Sequence, residues 1–106
     1  YVADLAKFIK RGGSREEQLV DRLLFAAMIE ARSCERFRML SEKIEDAALA
    51  EFYRELMISE AGHYTTFIGF ARKYGGNVNV DERWQQFLDY EAEVIQNYGK
   101  KETMHG

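Results

Sequence analysis

The chain has 106 residues, 46% hydrophobic and 31% charged, with a net charge of −3, no proline and one cysteine. That balance is ordinary for a globular domain, and a single cysteine excludes a disulfide within one chain. No run approaches about 18 uninterrupted apolar residues, which excludes a helical membrane span.

The opening Tyr1-Val2-Ala3-Asp4 has neither the charged nor the apolar part of a signal peptide. With Cys34 reading as a small buried apolar residue, this fits a reducing, cytoplasmic setting. The missing initiator Met points to a start inside a longer protein.

A short amphipathic stretch, Val2 to Lys10, leads into Gly12-Gly13. Ser14 then opens a helix, and Glu17 three residues on completes a capping box. From Arg15 to about Ser41 no breaker interrupts a stripe of Leu19, Leu23, Ala27, Cys34 and Phe37, broadened by Leu24, Ala31 and Leu40. A polar joint from Lys43 to Asp46 precedes a second long helix. Its stripe is Leu49, Phe52, Tyr53, Leu56, Met57, Tyr64, Phe67, Phe70, Ala71 and Tyr74, and Gly75-Gly76-Asn77 ends it. Asp81 is expected to cap a third helix through Tyr98, with Trp84, Phe87, Leu88, Val94 and Ile95 inward and Gly99 closing it.

The fold class is therefore all-α. Two helices, each about 40 Å long, are joined by a short loop and should pack antiparallel, as in a bundle. One seam between two helices buries only part of the apolar width just described. More helices are expected to cover the rest, from a preceding segment or from a second copy.

Three ionisable residues sit on these apolar stripes. Glu30 is seven residues after Leu23 and four before Cys34, while Glu60 is four after Leu56 and seven before Phe67. His63 lies one turn beyond Glu60 on the same face. Counting from a joint near residue 44, Glu30 and Glu60 come within about 3 Å of the same level along the helices. Glu35 is rotated by about 140° from Glu30 and falls at another level, so Glu30 is the better ligand. Two carboxylates and an imidazole converging on an apolar seam call for a cation. In carboxylate-bridged di-iron bundles one Glu comes from each of two helices and a Glu-x-x-His from each of the other two. This chain holds half of such a set, with mixed oxygen and nitrogen donors that suit iron.

Glu-x-x-His is a common string: Glu102-Thr103-Met104-His105 also fits, but falls in a polar tail off any stripe. The competing reading is a plain helical module in which Glu30 and Glu60 pair with Arg32, Arg36 or Arg54. Glu91, on its own stripe, is expected to pair with Arg32 or Arg36 or to stand behind the ligands. Tyr53 and Tyr64 flank the site mainly as packing. Because the net charge is negative, RNA contact requires local basic groups, for which Lys7, Lys10, Arg11, Arg72, Lys73, Lys100 and Lys101 are candidates.

Three segments carry a resemblance more specific than spacing: Met28-Ile29-Glu30-Ala31-Arg32-Ser33-Cys34-Glu35-Arg36-Phe37; Phe52-Tyr53-Arg54 with Ser59-Glu60-Ala61-Gly62-His63-Tyr64; and the closing run from Gly99 to Gly106. Together they resemble the tRNA hydroxylase family that acts on 2-methylthio-isopentenyl-adenosine beside the anticodon, over essentially the whole chain. The resemblance implies a ferritin-like four-helix bundle with two non-haem iron ions. Dioxygen is the co-substrate, electrons come from a separate donor, and the isopentenyl group of a tRNA anticodon-loop adenosine is hydroxylated. Glu30 matches the family's lone bundle glutamate, and Glu60 with His63 matches its second Glu-x-x-His. Met57, Phe67 and Tyr64 would be pocket walls.

Members of that family carry a further glutamate and Glu-x-x-His in helices preceding the equivalent of Tyr1. Residues 1–106 thus read as the carboxyl-terminal part of a single ferritin-like domain. The missing ligands would come from the amino-terminal half of the same protein or from a second copy. Two alternatives stand beside this: a peroxidase or ferroxidase on the same scaffold, and a non-catalytic helical interaction module.

Overall fold

The computed structural model describes the backbone of residues 1–105 and the side chains of residues 1–98. The sequence candidates Lys100, Lys101, Glu102 and His105 therefore have side chains outside the described residues. Four helices follow in chain order: α1 (Val2–Ala6), α2 (Arg15–Lys43), α3 (Ala47–Tyr74) and α4 (Val80–His105). No strand occurs among the described residues, in keeping with the all-α expectation.

Helix starts follow side-chain chemistry. Ser14 accepts from the Glu17 amide while the Glu17 carboxylate reaches back to the Ser14 amide, which is the expected capping box. Asp46 caps α3 by accepting from the Leu49 amide at 3.0 Å. At α4 the expectation is corrected: Asn79, not Asp81, accepts from the Glu82 amide at 3.1 Å. Asp81 instead lies in the first turn of α4, where its carboxylate meets Arg72 at 2.8 Å.

Gly99 is a second correction, since α4 continues through it to His105. Glycine inside a helix costs about 1 kcal/mol relative to alanine, a penalty that good helix formers on either side can absorb. Gly75 does end α3 as expected. A Cβ there would stand 2.5 Å from the Ala71 carbonyl oxygen and 2.7 Å from Val20 of α2, so only glycine fits. Gly76 follows with φ of 59°, the left-handed conformation that turns the chain toward α4.

Helices α2 and α3 are antiparallel. Val20 approaches Gly75, Cys34 donates to the Met57 carbonyl at 3.5 Å, and Phe37 stacks on Tyr53. Residue numbers thus fall along one helix as they rise along the other. The core lies at the Gly75 end, where Leu5, Val20, Leu24, Ala27, Met28, Ile68, Ala71, Val80 and Phe87 are buried together. The far ends of α2 and α3 extend beyond it as a two-helix arm. The radius of gyration of 16.3 Å exceeds the about 13 Å of a compact domain of this length.

That elongation explains a third correction. Leu19, Leu49, Phe52, Phe70, Tyr74 and Ile95, expected inward, are all exposed. A helix with one long neighbour covers one strip of its surface, and these residues lie on the flank of that strip.

Candidate metal centre

Glu30 stands midway along α2, and Glu60 and His63 stand one turn apart on α3. The antiparallel pairing brings them to one level. One ligand atom from each of the three lies within 4.8 Å of those of the other two. His63 Nδ1 is 3.7 Å from Glu30 Oε2 and 3.9 Å from Glu60 Oε1.

The three differ in exposure. The Glu30 and Glu60 side chains are 25% and 21% accessible, whereas His63 is 58% accessible. Glu30 and Glu60 sit in the seam as the spacing indicated. His63 lies on its rim, because a residue three positions on is rotated about 60° around the helix and only α2 covers this side of α3.

Glu30 Oε2 is buried and has no hydrogen-bond partner. A buried carboxylate oxygen without a donor costs on the order of 1–3 kcal/mol or more. Two of the three arginines that could have neutralised it are engaged elsewhere, and Arg36 is exposed and does not reach it. Arg32 binds Glu35 and Glu91, and Arg54 binds Glu51. Among the described residues no arginine pairs with Glu30 or Glu60, so the ion-paired alternative for these two carboxylates is absent. A bound cation would satisfy the orphaned oxygen, and two carboxylates with one imidazole form a donor set that fits iron. The residues present fit a metal on this criterion.

Glu91 resolves toward the ion pair. Its carboxylate accepts from Arg32 Nε at 2.6 Å and Nη2 at 2.5 Å, and from the Tyr1 hydroxyl. Burial alone would raise the Glu91 pKa, but the Arg32 and Tyr1 hydrogen bonds outweigh it and hold the group below the usual carboxylate range. Burial and the bond to Glu91 push the Tyr1 hydroxyl up to about 12. Glu35 is exposed and bound to Arg32 at 2.8 Å, away from the site. Tyr53 stacks on Phe37, and Tyr64 packs beside Trp84 with ring centroids 5.8 Å apart. Cys34 is half-buried rather than fully enclosed.

One charged cluster was missed from the sequence. Asp21, 1% exposed, accepts from Arg83 Nε at 2.7 Å and Nη2 at 2.8 Å and from the Lys10 amide at 2.7 Å. Arg83 also donates to the Phe8 carbonyl and lies 4.3 Å over the Phe8 ring. The cluster ties the segment after α1 to α2 and α4. The available signal was the spacing of Asp21 from Leu24 and Met28, three and seven residues on, which puts it on a buried face.

Comparison with known proteins bears on the whole chain. A protein of Pseudomonas putida named tRNA 2-(methylsulfanyl)-N(6)-isopentenyladenosine(37) hydroxylase is 38% identical over 88 residues, covering 83% of this chain and 42% of that protein. A protein of the same name from Salmonella typhimurium is 36% identical over 87 residues, covering 82% of this chain and 32% of that protein. The chain thus matches less than half the length of either relative. No solved structure matches it significantly. The sequence profile of the family described as tRNA-(MS[2]IO[6]A)-hydroxylase (MiaE) matches residues 1–106 throughout, and the chain belongs to that family.

Proposed function

We propose that this chain supplies half of the ligand set of a di-iron oxygenase that hydroxylates the isopentenyl group of 2-methylthio-isopentenyl-adenosine in tRNA. The observation that carries the reading is the meeting of Glu30, Glu60 and His63 around a buried, unpartnered carboxylate oxygen. Family membership and the names of the two relatives support the substrate.

Glu30 from α2, and Glu60 with His63 from α3, would hold the metal. Two iron ions, when bound, supply the dioxygen activation needed to insert oxygen into a C–H bond. The chain's own residues do three things. Glu30 and Glu60 present carboxylate oxygens from opposing helices to a cation held between them. His63 turns Nδ1 toward both carboxylates. Half-buried Met57, Phe67 and Tyr64 border this level of the seam and restrict water, with Tyr64 held against Trp84.

The remaining ligands and the cover for the open side would come from the amino-terminal half of the same protein or from a second copy. Residues 1–106 then form the carboxyl-terminal part of one ferritin-like domain, supplied with electrons by a separate donor. No helix among the described residues is long and apolar enough to cross a membrane. The reading places the protein with its tRNA in the cytoplasm.

The test is nucleoside analysis of tRNA from a host lacking the hydroxylase, complemented with the full-length gene product. The wild type should yield hydroxylated nucleoside, and Glu60→Ala should leave only the unhydroxylated precursor. Turnover of iron and peroxide with no hydroxylated nucleoside would instead indicate a peroxidase or ferroxidase. A wild-type protein that retains no iron when supplied with it would indicate a non-catalytic module.

A further inference from the structure

The back of α2, away from the candidate metal centre, carries an apolar groove that the chain itself leads into. Tyr1, Arg32, Glu35, Arg36, Met39 and Ile95 line a volume of about 440 Å³ between α2 and α4. Met39 is 49% exposed and Ile95 is 53% exposed. Arg36 is exposed too, and its guanidinium has no hydrogen-bond or ion-pair partner among the described residues. Arg32 and Met39 lie about 160–180° around α2 from Glu30, and Arg36 about 120°. Helices that complete the metal centre on the Glu30 side therefore leave this groove uncovered.

The course of the first ten residues indicates what covers it. The Lys10 amide donates to Asp21 at 2.7 Å, and the Phe8 ring meets Phe87 edge-on at 5.0 Å between centroids. At the other end of this segment the Tyr1 hydroxyl donates to Glu91, which Arg32 holds at 2.6 Å. Followed backward from Lys10 to Tyr1, the chain climbs along α2 from the level of Asp21 to that of Arg32, about 16 Å. Helix α4 runs the same way as α2, since Arg83 meets Asp21 and Glu91 meets Arg32. The same course continued past Tyr1 runs between Met39 and Ile95. Met39 is about 10 Å beyond Arg32 along the axis, a span of about three extended residues.

We propose that the segment entering at Tyr1 occupies this groove, with apolar side chains over Met39 and Ile95 and a carboxylate or carbonyl oxygen on Arg36. The inference rests on the reading of residues 1–106 as the carboxyl-terminal part of a longer chain. From the groove the segment turns about α2 past Arg36, the way round to the ligand-bearing side that α3 does not block. The bonds from Tyr1 to Glu91 and from Glu91 to Arg32 pin its end. They thereby fix where the helices with the remaining ligands join this half. A nucleic acid is the poorer occupant, because Glu35 and Glu91 balance Arg32 and Arg36 around the groove. A second copy would have to share the groove with the chain that enters it.

The test is photo-crosslinking of the iron-supplied, full-length gene product carrying Met39→p-benzoylphenylalanine or Ile95→p-benzoylphenylalanine, read by peptide mapping. The expected adduct lies within one chain, on a peptide within about ten residues before Tyr1. Met39→Asn should lower the melting temperature by about 3–6 °C. Ile58→Asn, at a 63% exposed position on the far face of α3, should shift it by less than about 2 °C. Adducts between two chains, or to tRNA when it is added, would overturn the proposal. So would the absence of any adduct from both positions in protein that retains iron. If the probe variants fail to fold, hydroxyl-radical footprinting of the wild type carries the test. Protection of Met39 by at least about tenfold relative to the urea-unfolded chain supports the proposal, and equal reactivity overturns it. Each of these failures leaves the metal reading intact. A wild type that retains no iron and hydroxylates no tRNA overturns that reading whatever the adducts.

Discussion

Glu30 Oε2 stands 3.7 Å from His63 Nδ1 across the α2–α3 seam, beyond hydrogen-bond reach yet close enough for both atoms to bind one cation. The oxygen is buried and has no donor among the described residues, which leaves an uncompensated polar group at this level. No hydrogen bond among the described residues relieves it.

Metal should therefore stabilise the fold through these atoms. Adding ferrous ion anaerobically, or cobalt as a surrogate, is expected to raise the wild-type melting temperature by about 5–10 °C when metal is well above its Kd. Glu30→Gln should abolish that rise. Without metal, Glu30→Gln should melt no lower than wild type, because it removes a buried charge that has no donor. A metal-free Glu30→Gln melting well below wild type would assign Glu30 an ordinary structural role.

The Glu91–Arg32 pair predicts a pH dependence of defined sign. The folded-state pKa of Glu91 is held below its ordinary 4.5, so its contribution to stability is complete above that value and is lost as pH falls through the folded pKa. Glu91→Gln should cost about 1–2 kcal/mol at neutral pH, a figure reduced because Arg32 keeps some contact with water. Urea unfolding from about pH 6 to about pH 3 should show the gap between wild type and variant constant at first and closing below about 4.5. A gap independent of pH would count against the ion pair.

Asp21 and Arg83 form the most enclosed ion pair of the described structure, with side chains 2% and 13% accessible. Asp21→Asn leaves the Arg83 cation buried without its partner and should cost about 3–5 kcal/mol in urea unfolding. Replacing both, Asp21→Leu with Arg83→Met, should recover most of that loss. Hydrogen exchange at the Lys10 amide, which donates to Asp21, should accelerate in either variant.

Much of this architecture could be read along the chain. Ser14 with Glu17, the joint at Asp46 and the stop at Gly75-Gly76 each depend on side-chain to backbone interactions within a few residues, so the linear order suffices. Counting outward from the joint likewise put Glu30 level with Glu60, because helix rise is constant. The misplaced features have different causes. Asn79 rather than Asp81 caps α4, since both residue types are good caps and two positions decide between them. Phe52, Phe70 and Ile95 have the residue types and near-helical spacing of inward positions, yet they are exposed.

Periodicity specifies an apolar stripe but not which part of its width a neighbour covers. That is settled only when several helices take their places together. The Asp21–Arg83 contact joins residues 62 positions apart. The His63 ring lies on the rim of the seam because α2 reaches only part of that side of α3. Local chemistry named the long helices, the joint and stops of α2 and α3, and three ionisable groups on their stripes. Three-dimensional packing decided which charges met, and which part of each apolar stripe stayed uncovered.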